Sequence, residues 1–194
     1  SFTHRQIEAF KKIAKEINDK IDHKPFKHLL NTSGIINYPE AQFDMVRSGI
    51  GLYGFGNDPK IDIALRPVAT LKTVISQIHK IESGETVGYS RAFASGTVRV
   101  TAGLPLRRVV VIGRQYGNGN AFVMVGEQKV PIIGNVCMDM IMIDITNIDC
   151  KEGDEVIVFG KNAGAEEFAK GGNTISYELL TSISQRVKRS ILNP

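Results

Sequence analysis

The feature that most constrains the fold is a series of short runs rich in β-branched residues between residues 68 and 159. Glycine or asparagine separates most of these runs, and such residues end strands because they tolerate turn conformations. Many short strands with glycine-rich turns are typical of an antiparallel barrel or sandwich. The predicted strands are residues 68–81, 98–100, 108–112, 121–125, 130–145 and 155–159, followed by helices at 163–170 and 174–184 and a closing strand at 186–192.

The first 56 residues follow a different pattern. Apolar residues recur at helical spacing from Ile7 to Ile21, which predicts an amphipathic helix over residues 4–20. Thr3 and Gln6 form a capping-box pattern at its start. Two short apolar segments, 27–31 and 49–53, are predicted strands, with a helical turn at 39–43 between them. This alternation of helix and strand is typical of a parallel βα unit.

Charge and composition exclude several classes of protein. The net charge is +4 and the basic residues are scattered, apart from residues 186–189, so a nucleic-acid partner is not predicted. No apolar run reaches the ~20 residues that span a bilayer, and no signal peptide is recognised, so no membrane association is predicted. Cys137 and Cys150 lie outside any paired spacing, which favours a reduced, cytoplasmic setting.

Residues 135–144 form an apolar stretch interrupted by a thiol and two acids. The near-continuous hydrophobicity predicts a buried strand that carries functional groups. Cys137 is the candidate nucleophile of this stretch, with a core position as the alternative. The four histidines show no spacing typical of metal ligands, so no metal site is predicted.

Two residues of the first part could bind an anionic or heterocyclic ligand. Thr32 lies in an Asn-Thr-Ser-Gly segment after a predicted strand. Hydroxyl and amide groups there suit a phosphate, although an ordinary helix N-cap explains the same residues. Arg47 lies in an apolar context and needs an acceptor, because it stays protonated. That acceptor is either a ligand atom or the carboxylate of a structural ion pair.

Tyr89 lies between Gly88 and Ser90 in a polar loop. A phenol acts as a base only where a nearby cation favours its ionised form. Simple packing is the alternative for this tyrosine.

Five ordered segments carry a resemblance to a known family. Residues 28–34, 43–54, 86–89, 131–139 and 175–178 resemble the alanine racemases, in the same order and with similar spacing. The match covers nearly the whole chain. Within the family, the chain most resembles the racemases that are fused behind a cell-wall ligase. It implies the last βα units of a pyridoxal-phosphate-binding (β/α)8 TIM barrel over residues 1–60. A mainly β, barrel- or sandwich-like C-terminal domain is implied for residues 61–194.

The resemblance also implies an activity. Alanine racemases interconvert L-alanine and D-alanine for cell-wall peptidoglycan, using pyridoxal 5′-phosphate (PLP) and an acid/base on each face of the substrate's α-carbon. One base is the cofactor lysine on the barrel. Tyr89 matches the other, which the second subunit of a homodimer donates, so the active site is shared between subunits.

Further positions match residues that bind the cofactor or substrate in the family. Arg47 matches the arginine at the pyridine nitrogen, and Thr32 matches the phosphate hydroxyl. Gly49 and Ile50 match backbone donors to phosphate. Tyr177 matches the phosphate-binding tyrosine of the gate, and Met138 matches the residue whose backbone meets the substrate carboxylate.

Two departures from the family pattern affect these expectations. The cofactor lysine belongs to the N-terminal barrel half of the family, and no lysine here lies in the corresponding motif, so this chain alone is expected to be inactive. Residues 101–113 replace a Gly-Tyr-Ala-Asp-Gly run of the family.

The alternative function is a non-catalytic β-barrel module for dimerisation or binding. A related PLP decarboxylase is disfavoured by Arg47, since those enzymes place an acid at the ring nitrogen.

Overall fold

The computed structural model of the chain describes residues 1–56, 64–106, 112–160 and 163–192. The chain divides into two compact units, Ser1–Val68 and Ala69–Pro194. The domain boundary predicted at residue 60 lies outside the described residues and stays a prediction.

The first unit begins with one long helix, α1 (Phe2–Asn18). Its N-cap is Ser1, whose Oγ accepts a hydrogen bond from the His4 amide at 3.4 Å. The capping box predicted at Thr3 is therefore wrong, because a hydroxyl two residues earlier performs the same role. Of the predicted apolar face only Ile7 is buried.

A small core holds this unit together. Ile7 of α1, Leu30 and Ala41 are buried in one cluster. The second helix, α2 (Thr32–Asn37), and the 3-10 turn Pro39–Ala41 follow along the chain and contact each other. The helical turn predicted at 39–43 is thus confirmed. Partly buried side chains pack around the cluster, namely Leu29, Ile35, Tyr38, Phe43 and Val46.

The prediction of two short strands in the first unit is wrong. Residues 27–31 form only an isolated parallel bridge, between His28 and Met45. Residues 49–53 contain a 3-10 turn, Ile50–Tyr53, which ends at Gly54 with φ +90°. A Cβ on Gly54 would lie 2.2 Å from the Arg66 carbonyl oxygen. The chain therefore turns there because two backbone segments meet, which an apolar run does not reveal.

The second unit is mainly β, as the strand pattern predicts. Among its described residues, helix α3 (Ala165–Gly171) contacts helix α4 (Ser176–Thr181). The strands are β1 (Leu71–Val74), β2 (Gln77–Ile81), β3 (Thr86–Val87), β4 (Phe93–Ala94), β5 (Arg99–Leu104), β6 (Phe122–Val125), β7 (Gln128–Ile133), β8 (Ile141–Asp144) and β9 (Glu155–Phe159).

The two edge strands of the main sheet are consecutive in the chain. Seven strands are hydrogen-bonded in the order β1-β9-β6-β7-β8-β5-β2, all antiparallel, while β3 and β4 form a separate pair. Only Ile75 and Ser76 separate β1 from β2, and their amides donate to Asp154 (3.0 Å) and Gly103 (2.9 Å). The sheet therefore curls, so that the end of β1 lies next to the start of β2 at this joint.

Alternating side chains of the sheet form the core of the second unit. Val156 and Val158 of β9 are 0% exposed, as are Ile141 and Ile143 of β8. Each fully buried aliphatic side chain of this size stabilises the fold by about 1.5–3 kcal/mol relative to an exposed one. The fold is thus a small N-terminal α/β part followed by a mainly β domain.

Several predicted elements of the second unit need correction. The strand predicted over 68–81 is two strands, because the chain bends at the joint to pair with β9 on one side and β5 on the other. The strand predicted over 130–145 is interrupted by a loop at 134–140. Residues 186–192 are described and form no strand. The strand predicted at 108–112 lies outside the described residues except for its last position.

Candidate functional site

Thr32 forms the centre of a compact polar cluster in the first unit. Its side chain is buried, and its Oγ1 accepts hydrogen bonds from the backbone amides of Gly49 (3.0 Å) and Gly51 (3.3 Å). A Cβ on Gly51 would lie 2.7 Å from Thr32 Cγ2, so only glycine fits there. A hydroxyl has two lone pairs and one proton. Because both lone pairs accept, the remaining capacity of this hydroxyl is to donate.

The N-cap of α2 is Asn31, whose Oδ1 accepts from the Gly34 amide at 3.0 Å. The N-cap interpretation of this segment thus holds for Asn31, while Thr32 remains available for another role. The structure brings together Thr32, Gly49 and Ile50. However, the Gly49 amide is committed to Thr32 rather than free, which the sequence did not reveal.

Arg47 is exposed and bonds to the backbone of the same unit. Its Nη2 donates to the Leu29 carbonyl at 3.0 Å, and its amide donates to Leu30. No carboxylate pairs with it among the residues that the structure describes. The structural ion pair considered from the sequence is therefore not formed there, and most of the guanidinium N–H donors are not used in the Leu29 bond.

Tyr89 begins a short 3-10 turn, Tyr89–Arg91, and is 51% exposed. Gly88 has φ +79°, and Ser90 and Arg91 also adopt positive φ (59° and 53°). Such a run is rare for residues with side chains, so surrounding contacts must hold it. The turn is therefore a fixed, specific conformation that presents the phenol to its surroundings.

The loop at 134–140 packs directly against this turn. A Cβ on Gly134 would lie 2.8 Å from the Val87 carbonyl oxygen, and one on Gly88 would lie 3.2 Å from the Asn135 amide nitrogen. Met138 lies in the same loop and is 59% exposed. The buried strand predicted over 135–144 is thus wrong for its first half. Tyr89 and Met138 nevertheless lie on two loops whose backbones touch.

Asn135 links these loops, and the sequence analysis missed it. Its Nδ2 donates to the Tyr89 carbonyl at 2.9 Å, and its Oδ1 accepts from Asn118 Nδ2 at 3.2 Å. The Gly134-Asn135 pair, which is typical of turns, is the signal that could have indicated a loop here. Cys137 in the same loop is half-buried, and its amide donates to Met140.

A third segment, residues 114–120, completes the loop cluster. A Cβ on Gly117 would lie 2.4 Å from the Gly134 carbonyl oxygen. Burial raises the pKa of the neighbouring Tyr116, and the charge of Glu178 on α4 raises it further. Tyr177, which precedes Glu178, is 45% exposed. Tyr89, Met138 and Tyr177 therefore belong to the second unit, whereas Thr32, Arg47, Gly49 and Ile50 belong to the first.

Within the described ranges, no group of three or more His, Cys, Asp or Glu side chains could hold a metal ion. In the same residues, no helix has the length and hydrophobicity needed to cross a membrane.

Fold and site together define a chain that joins an α/β segment to a curled antiparallel β domain with an exposed tyrosine on a constrained turn. The chain belongs to the alanine racemase family. Residues 68–191 match the family model "Alanine racemase, C-terminal domain", and residues 1–57 match "Alanine racemase, N-terminal domain".

Individual relatives agree with the family models. The alanine racemase of Treponema denticola is 37% identical over 202 residues, covering 99% of this chain and 53% of that protein. Among solved structures, alanine racemase from Streptomyces coelicolor has a TM-score of 0.90 at 27% identity, with 97% of this chain and 51% of that chain covered. Alanine racemase from Bartonella henselae, solved with covalently bound pyridoxal phosphate, has a TM-score of 0.82 at 30% identity, covering 98% and 52%. The chain spans about half the length of the curated relatives it matches.

Proposed function

We propose that this chain is the C-terminal portion of a PLP-dependent alanine racemase, which interconverts L-alanine and D-alanine by a two-base mechanism. The observation that carries the proposal is the turn of Tyr89, which keeps three residues at positive φ and packs against the loop of Met138. An exposed phenol on a turn of fixed geometry is suited to proton transfer at a defined atom.

In this proposal Tyr89 is the acid/base on one face of the substrate, and Met138 meets the substrate carboxylate through its backbone. Bound PLP supplies an electron sink that acidifies the α-hydrogen of the amino acid. The half-exposed Tyr89 and Met138 project from the second unit, where a neighbouring subunit of a homodimer can receive them. We infer that they complete the active site of that neighbour.

The first unit would hold the cofactor. The Thr32 hydroxyl, both of whose lone pairs accept from backbone amides, is limited to donating, and phosphate oxygens are strong acceptors. Arg47 would donate to the pyridine nitrogen and, because it keeps its proton, would leave that ring largely unprotonated. Ile50 would add a contact to the phosphate. Gly49 would support the phosphate site through its bond to Thr32.

The proposal includes an N-terminal barrel half that carries the cofactor lysine. Apolar residues of α1 support it, since Ile13 is 55% exposed and Ile17 is 47% exposed on the helix face that includes the buried Ile7. The neighbouring barrel elements would cover this face. The enzyme would act in the cytoplasm, and its product, D-alanine, would be used for peptidoglycan.

The test is to co-express the chain with an N-terminal barrel half of the family. The complete protein should bind PLP, absorb light at the short-wavelength end of the visible range, and racemise alanine. Tyr89→Phe should lower kcat/KM about 10²–10⁴-fold, the usual contribution of a general base. Because enantiomers have equal free energies in water, kcat/KM must fall equally in both directions.

The asymmetry of a two-base mechanism appears instead in exchange of the α-hydrogen with D2O. In Tyr89→Phe one enantiomer should keep exchanging its α-hydrogen while exchange of the other is lost. Tyr38→Phe, which removes a tyrosine hydroxyl from the first unit, is the control and should retain both exchanges. Unchanged exchange of both enantiomers in Tyr89→Phe would contradict the role of Tyr89. A folded oligomer without PLP affinity would favour the non-catalytic module.

A further inference from the structure

We infer that Asn135 is a positioning residue that holds the Tyr89 turn through its side-chain amide. Its Nδ2 donates to the Tyr89 carbonyl at 2.9 Å, and its Oδ1 accepts from Asn118 Nδ2 at 3.2 Å. Asn135 is half-buried, whereas its two partners, Asn118 and Tyr89, are exposed. The catalytic consequence of this inference rests on the proposed function, whereas the structural tether does not.

The chemistry of the partners fixes the orientation of the Asn135 amide. A backbone carbonyl such as that of Tyr89 can only accept a hydrogen bond, so the amide nitrogen must face it. The oxygen of Asn135 then faces Asn118, which must present its own nitrogen. Both ends of the Asn135 side chain are therefore used, and reversing the amide would place two acceptors against each other.

The Tyr89 turn needs such an external contact. Ser90 and Arg91 follow Tyr89 with positive φ, a conformation that residues with a Cβ rarely adopt. The Arg91 amide donates to Gly88 at 3.3 Å, a long bond for a turn of this kind. The bond from Asn135 fixes the carbonyl that begins the turn, and hence the direction in which the Tyr89 side chain leaves the backbone.

Asn135 is itself held by a neighbouring segment. The backbone amide of Asn118 donates to the Gly134 carbonyl at 3.0 Å. Asn118 therefore bonds both to the backbone just before Asn135 and to the Asn135 side chain. A series of hydrogen bonds therefore runs from Asn118 through Asn135 to Tyr89 and connects three loops. It sets the position of Tyr89 relative to the loop that carries Met138.

The experiment compares two identical chemical changes. Asn135→Asp keeps the acceptor for Asn118 but places a carboxylate oxygen against the Tyr89 carbonyl. Asn120→Asp removes a bond of the same kind, from Asn120 Nδ2 to the Gln115 carbonyl at 3.0 Å, which does not reach the Tyr89 turn. Both variants are made in the 194-residue chain, together with Asn135→Ala, which removes the tether without adding a charge.

Amide hydrogen exchange, followed by mass spectrometry, measures the tether without cofactor or substrate. Peptides over residues 86–92 should exchange about tenfold faster in both Asn135 variants, the factor expected for loss of one such hydrogen bond. Asn120→Asp should leave these peptides unchanged, and peptides over β9 report global stability. Equal exchange at 86–92 in all variants would overturn the inference, as would an equal acceleration over β9.

Activity of the complete protein supplies the second readout. Asn135→Asp should reduce α-hydrogen exchange about tenfold more for the enantiomer that depends on Tyr89 than for the other. Equal loss for both enantiomers would indicate a merely structural role and would overturn the positioning role. If the wild-type complete protein does not racemise alanine, the proposed function fails, while the amide exchange still decides whether Asn135 holds the turn.

Discussion

Arg99 on β5 and Asp144 on β8 form an ion pair between neighbouring strands, and the Asp144 side chain is only 10% exposed. Burial by itself raises the pKa of Asp144. Hydrogen bonds from the Thr146 hydroxyl and amide and from Arg99, together with the charge of Arg99, outweigh burial and lower this pKa below its ordinary value. The carboxylate is therefore held in its charged form inside the domain.

Acid should weaken the domain through this group. Because the folded-state pKa is lowered, the stability that Asp144 contributes is complete above the unfolded-state pKa of about 3.9 and is lost as pH falls through the folded-state value. Asp144→Asn should reduce the free energy of unfolding by about 1–3 kcal/mol at neutral pH and flatten its fall in acid. Urea unfolding at several pH values measures both, with exposed Glu127→Gln as control. An unchanged pH dependence would contradict the assignment.

Gly172 should not tolerate a side chain. Its Cβ would lie 2.3 Å from Cζ of Tyr116, a buried ring that stacks on Phe168 with centroids 4.8 Å apart. Gly172→Ala should therefore lower the free energy of unfolding by about 1–3 kcal/mol, the usual effect of overpacking. Gly96→Ala, where a Cβ meets nothing within 4 Å, is the matched control for thermal unfolding. Similar midpoints for the two variants would mean that the ring can move aside.

The Thr32 hydroxyl should matter for both stability and ligand affinity. Thr32→Val keeps the shape but leaves the Gly49 and Gly51 amides without their acceptor, at a cost of about 1–3 kcal/mol. In the complete protein it should also weaken PLP binding, whereas Thr32→Ser should retain affinity within a few-fold. A PLP titration by absorbance measures this. Equal affinity of the valine and serine variants would refute the role of the hydroxyl.

Cys150 should react slowly with alkylating reagents. Burial raises the pKa of its thiol, and the charges of Asp154 and Asp149 raise it further, so less of the reactive thiolate is present. In a Cys137→Ser background, the pH midpoint of iodoacetamide modification should lie above about 8.5, the value of free cysteine. Asp149→Asn should move that midpoint downward. A midpoint below that of free cysteine would show that the thiol is not shielded in this way.

The β domain could be predicted from the sequence where turns and alternation agree. The pattern predicts a strand at residues 155–159, and they form β9, because buried Val156 and Val158 alternate with the more exposed Glu155 and Ile157 after the Gly153 turn. For the loop at 134–140 the Gly134-Asn135 pair is the one local turn signal, and the apolar residues that follow favour a strand instead. Its course depends on Gly134 approaching Val87, which is distant in sequence.

The candidate site could likewise be predicted only in part. Thr32 and Tyr89 could be selected by residue type and by resemblance, because both carry chemistry in short polar segments. The partners of these residues could not, since the amides bonded to Thr32 and the Asn135 amide bonded to Tyr89 become neighbours only in the folded chain.

The two-residue joint between β1 and β2 has a consequence for how the domain is made. Leu71 of β1 pairs with Phe159 of β9. The first strand of this sheet to be synthesised therefore pairs with the last one. On the ribosome β1 must remain unpaired until β9 has emerged, even though β2, β5, β6, β7 and β8 can already associate. A chain truncated before residue 155 would therefore expose two strand edges at once, and such unprotected edges favour aggregation.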